Sequence, residues 1–126
     1  MYTRQPTTAE LARTARDMVA QLERATGQEP RALTVSRVHD TTMALAELVE
    51  MLPRTLERLA AALQMRAEES ASQSDGVEGP RAAAYAATGA LSTAGQSAQN
   101  LARQLGETCS QMKGVVDKVP RPRSRA

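Results

Sequence analysis

The chain contains one histidine, His39, and one cysteine, Cys109. They lie far apart in sequence, and without carboxylates the pair cannot supply the three or four ligands of a zinc site. His39 therefore reads as a surface or rim histidine. Cys109 has no cysteine to pair with. Glu107 beside it is acidic, and Lys113 is the one basic residue within a turn, so nothing in the nearby sequence would activate the thiol. It reads as a small buried hydrophobe. Glu47, Glu50, Glu57, Glu68 and Glu69 are the candidates for paired general acid–base carboxylates. Arg54 lies one turn from Glu50 and Arg58 one turn from Arg54, the spacing of a solvated, salt-bridged helix face. The chain has no Glu-x-x-His metal pair, no phosphate-cradling glycine loop and no nucleophile elbow. These residues predict no catalytic, cofactor-binding or metal site, no small-molecule substrate and no enzyme.

The remaining candidates for chemistry are cations. Net charge is +2, and the basic excess is concentrated at the C-terminus: Lys113, Lys118, Arg121, Arg123 and Arg125 stand against Asp117 alone. With Pro120 and Pro122 and no apolar pattern, residues 119–126 are predicted to be a disordered basic tail. Such a tail contributes salt-dependent, sequence-neutral affinity for phosphates, anionic lipid or an acidic partner. Nucleic acid is therefore a candidate partner. No aromatic accompanies the tail, and the segment Leu33 to Leu48 lacks the glycine turn and basic second helix of a helix-turn-helix.

These residues are carried by long helices. From Val38 to Leu63 apolar residues recur at spacings of four and three, with Thr42, Val49, Leu56 and Leu63 at a and Val38, Leu45, Leu52 and Leu59 at d. The pattern stays in phase across Pro53, which predicts one kinked helix rather than two. A second stretch keeps the same rhythm in smaller residues: Ala84, Thr88, Leu91, Gly95, Ala98, Ala102, Leu105, Cys109, Met112 and Val116. Glycines here are explained by packing. Large residues on one helix facing small ones on the other predict an antiparallel hairpin, each arm on the order of 55 Å long. The turn between the arms is Ser70 to Pro80. Before them, Thr7-Thr8-Ala9-Glu10 reads as a capping box opening a shorter amphipathic helix that ends at Gly27. The expected fold is all-α, a long antiparallel helical hairpin plus a shorter N-terminal helix, resembling a three-helix bundle. Helices are placed at 8–26, 36–71 and 80–118 of one helical domain, residues 1–118, with either Pro30 or Ser36 opening the second. A chain with no Trp or Phe suits such alanine- and leucine-built packing better than a β-sandwich.

In an antiparallel pair the g positions of both helices line one side of the seam. Here they include Leu48 and Thr55 on the second helix and Ala94, Leu101 and Val115 on the third, nearly all apolar or small. That side needs a cover. The first helix, with about five turns, is too short to cover all of it. The expectation is therefore that it packs over part and that another chain covers the rest, as a homo-oligomer or a helical protein partner. Met43, Met51 and Met65 lie off the seam and add a further adaptable surface. The leading functional reading is thus a non-enzymatic interaction or assembly protein acting through a coiled-coil-like hairpin surface. The alternative is a DNA-associated accessory protein that dimerises through the hairpin and holds DNA with its tail.

A hairpin of this size also resembles, in outline, the small helical proteins secreted by the type VII route. Where their main group carries Trp-x-Gly at the turn, this chain reads Ser74-Asp75-Gly76-Val77-Glu78-Gly79-Pro80. The resemblance implies export without a cleaved signal. Otherwise the lack of an apolar leader or membrane-length apolar run, together with the lone cysteine, predicts a cytoplasmic protein. The Ala/Arg-rich composition points to a high-GC bacterial or phage source.

Overall fold

The computed structural model describes residues 4–28, 30–73 and 78–118. They form helix α1 (Thr8–Gln28), a short 3-10 turn (Pro30–Ala32), and two long helices, α2 (Val35–Gln73) and α3 (Glu78–Lys118). At 39 and 41 residues, α2 and α3 are each about 60 Å long. They pack against each other in antiparallel fashion. The predicted hairpin with a shorter N-terminal helix is the fold observed. Residues 119–126, predicted as the basic tail, and Ser74–Val77 in the turn lie outside the described residues.

Local chemistry sets the helix starts. The Thr7 hydroxyl accepts the Glu10 amide at 3.1 Å, so Thr7 caps α1. The reciprocal half of the expected box is not formed, because the Glu10 carboxylate accepts from Arg4 instead, at 3.3 Å. Helix α2 is capped by Thr34, whose hydroxyl accepts the Arg37 amide at 3.2 Å. Neither Ser36 nor Pro30 fills that role: Ser36 is inside α2 and Pro30 opens the 3-10 turn. Gly27 lies within α1 rather than beyond its end. Pro53 interrupts no helix, as its in-phase surroundings predict, and α2 is continuous from Val35 to Gln73.

The seam on α3 follows the predicted rhythm. Gly95, Ala98, Ala102 and Cys109 are buried, and Ala84, Thr88, Leu91, Leu105 and Met112 are half-buried. On α2 the seam is rotated from the predicted one. The a positions Thr42, Val49, Leu56 and Leu63 face inward as expected. Their companions, however, are the e positions His39, Ala46, Pro53, Ala60 and Ala67. Of the predicted d residues, Leu45 is half-buried and Val38, Leu52 and Leu59 are exposed.

The reason is the spacing between the helices. A Cβ built on Gly95 would lie 3.7 Å from the Pro53 carbonyl oxygen and 3.8 Å from its Cα, so the two backbones are in close approach. At that level only small side chains fit between the axes. Near that level small residues face small ones and Leu52 and Leu59 lie to the side, while Leu56, Leu63, Leu91 and Leu105 stay half-buried in the seam farther along. Val49, Ala98 and Ala102 form the core, with Leu105 packed on them. Thr42 and Thr88 are tolerated in the seam because their hydroxyls donate to the carbonyls of Val38 and Ala84, at 2.7 and 2.9 Å. No buried side-chain polar atom among the described residues lacks a partner.

Helix α1 buries none of its residues, and α2 against α3 is the only extensive helix packing among the described residues. The expectation that α1 packs over part of the hairpin's side is therefore corrected. Its apolar stripe, which includes Leu11, Met18 and Val19, is exposed. A helix of 21 residues beside a six-residue connector is not forced onto its neighbours by chain geometry.

Candidate functional site

The two sides of the hairpin differ chemically. One is grooved, and its lining mixes charged side chains with apolar ones, Met43, Ala46, Met51 and Ala102 among them. Near the Pro53 level the groove is lined by Glu50, Arg54, Glu57 and Arg58 of α2 with Gln99 and Arg103 of α3. Toward the open end it is lined by His39, Glu47 and Glu50 with Gly106, Cys109 and Lys113. These lining residues place e positions of both helices on this side, together with Thr55, a g position of α2.

The groove gathers groups that could do chemistry, but not in a reactive arrangement. His39 is half-buried and meets Asp40 at 3.4 Å, an ion pair only when the ring is protonated. This is the rim position expected of it. Cys109 is a free thiol, 8% exposed, in the seam. The glutamates are dispersed along the exposed surface of α2. No group of three or more His, Cys, Asp or Glu among the described residues could hold a metal ion. The ion pairs Arg16–Asp17 and Arg66–Glu69 are exposed, and Asp17 takes Arg16 rather than the Arg13 one turn away. No helix is long and apolar enough to cross a membrane, among the described residues.

By heptad geometry the opposite side carries the d positions of α2 and the g positions of α3. The leucine row displaced from the seam lies there beside Leu48, and α3 adds Leu101, 46% exposed, and Val115, 48% exposed. Register follows from the Gly95–Pro53 approach and the Val49–Ala98–Ala102 core. It sets Leu101 level with Leu48, Ala94 level with Thr55, and Val115 level with the start of α2 near Val35. The five predicted partner-binding residues, Leu48, Thr55, Ala94, Leu101 and Val115, are all exposed, and Thr55 is among the residues lining the groove near Pro53. Sequence reasoning missed Val38, Leu52 and Leu59, which it assigned to the interior. Thr55 and Thr108 do not make the surface polar, because their hydroxyls donate to the Met51 and Gln104 carbonyls at 3.0 and 2.8 Å.

The predicted anion-contacting residues are not assembled into a site. Lys113 is exposed on the rim of the polar groove. Lys118 ends α3, and Arg121, Arg123 and Arg125 lie outside the described residues. Met43, Met51 and Met65 are exposed off the seam, where they were expected. No family model matches this chain, and no curated protein or solved structure does.

Proposed function

We propose that this chain is a non-enzymatic interaction protein that docks helices on the apolar side of its hairpin. The observation that carries the reading is the leucine row of α2, pushed out of the seam and left exposed beside Leu101 and Val115. A monomer gains nothing from holding large apolar side chains in water, and a contiguous patch of them marks an interaction surface. Helices are the natural guests, since a straight apolar track between two parallel rods accepts the i, i+3, i+4, i+7 stripe of a third.

The test is site-specific photo-cross-linking in the cells that make the protein. A photoreactive residue at position 52 or 101 is expected to capture apolar helix surfaces. The same residue at position 57, on the polar side, is expected to capture nothing reproducible. Equal capture from both sides, or none from 52 and 101, overturns the reading.

A further inference from the structure

We infer that His39, Met43 and Cys109 form a site for one soft monovalent cation, copper(I). The site lies in the groove between α2 and α3 toward the open end, apart from the exposed leucine row. It does not rest on the helix-docking role.

The first support is register. The chain's one histidine and one cysteine are far apart in sequence, and the fold brings them to one place. The Gly95–Pro53 approach fixes the pairing of the two helices. Fourteen residues outward from it, along each helix, stand Cys109 and His39. Fourteen residues are two heptads, so both positions keep the faces of Gly95 and Pro53 and meet at the same level. Both line the same groove, and so does Met43, one turn on from His39 on the same face of α2. Near the level of Met43, a Cβ built on Gly106 would meet nothing within 4 Å, so the groove is open where the methionine turns in.

The second support is donor chemistry. Thiolate, thioether and imidazole are soft or borderline ligands, the set that selects copper(I) over hard cations. With the thiol ionised the set carries one negative charge, so bound copper(I) leaves the site neutral, whereas a divalent ion leaves a positive charge against the apolar seam. Two of the donors are already shielded from water: the His39 side chain is 19% exposed and Cys109 is 8% exposed. Met43, 44% exposed, has three rotatable side-chain bonds with which to close over the ion.

The third support is the orientation of the imidazole. His39 Nδ1 lies 3.4 Å from the Asp40 carboxylate, the carboxylate–histidine pairing that fixes the tautomer at metal centres. With the Nδ1 proton donated to Asp40, the Nε2 lone pair is free for the metal. Binding releases the Cys109 proton to solvent and forms a bond from Sγ to copper, with no change in the oxidation state of the metal. The bound ion ties α2 to α3 near the open end of the hairpin.

The experiment loads the full chain with copper(I) alone, without oxygen, and measures its retention against a coloured copper(I) chelator. One copper per chain is expected, with a rise in melting temperature, since an ion held only by the folded hairpin stabilises it. Cys109→Ser, His39→Gln and Met43→Leu are each expected to weaken retention by at least about tenfold. Asp40→Asn is expected to weaken it by about tenfold, the cost of losing the partner that orients a metal ligand. Circular dichroism checks that the helices of each variant persist. X-ray absorption of the loaded wild type stands apart from the variants: two sulfur donors and one nitrogen donor are expected around the metal. No retained copper, one copper shared between two chains, or a shell of sulfur alone overturns the inference. So does retention that falls with Cys109→Ser but with neither His39→Gln nor Met43→Leu, or displacement of the copper by an equal concentration of zinc(II).

Discussion

Leu59 and Ala60 are adjacent, yet they have exchanged the places that their sizes suggest. Leu59 is 47% exposed and Ala60 is 5% exposed. We predict that glutamate at these two positions has very different costs. The background is Leu48→Glu with Leu101→Glu, so that association does not enter. Burying a leucine fully is worth about 1.5–3 kcal/mol, and Leu59 retains about half of that burial, so Leu59→Glu costs about 1 kcal/mol. Ala60→Glu forces a carboxylate between two helix backbones, with no cation facing it in the seam. Desolvating an ion costs several kcal/mol even after relaxation, and the added volume strains the packing, so its cost is at least about 3 kcal/mol. Thermal unfolding followed by helical circular dichroism separates them: a drop of about 4 °C for Leu59→Glu against at least about 12 °C for Ala60→Glu. A larger drop for Leu59→Glu, or equal drops, would mean that the leucine row lies in the seam after all. The rotation of α2, and with it the exposed apolar side, would then be wrong.

Three other outcomes follow from the packing. Gly95→Ala places its new carbon at ordinary contact distance from Pro53 and gains up to about 1 kcal/mol of helix propensity, so the melting temperature rises, whereas Gly95→Leu lowers it by wedging the helices apart. Cys109, buried in the seam, reacts with a thiol reagent at least about tenfold more slowly in the folded chain than in urea, a comparison read directly by absorbance. Thr7→Ala removes the cap of a helix with no buried residue and costs α1 about 1 kcal/mol, seen as faster amide exchange over residues 10–20 with α2 and α3 unchanged.

Much of this molecule was readable from residue spacing. The unbroken four-three rhythm from Ala84 to Met112 gave the α3 seam residue for residue, because its small side chains leave no competing face. The continuity of α2 through Pro53 was also legible, since the apolar phase does not slip there. The rotation of α2 was not. Its a positions are common to two stripes, one completed by leucines at d and one by small residues at e. Hydrophobicity alone favours the leucines. The choice is made by the partner: around Gly95, Ala98 and Ala102 the axes approach closely and favour the small e residues, a fact written in the other helix. The Thr34 cap was missed because no glutamate follows at the third helical position to complete a box. The pattern of α1 says that it needs a neighbour but not which one. The exposure of Leu48 and Leu101 followed from heptad geometry, and that of Leu52 and Leu59 was lost to the same geometry applied one position off.

The pairing of α2 with α3 is nested: each partnership, from the levels nearest Gln73 and Glu78 out to His39 and Lys113, encloses the one before it. Once an inner turn has docked, the next adds only a few residues of slack to close, and closure entropy grows slowly with loop length. The arms should therefore zip outward from their joined end. Tension across the open end would load one helical turn at a time and peel the arms apart, the geometry of a zipper rather than of a rope pulled in shear.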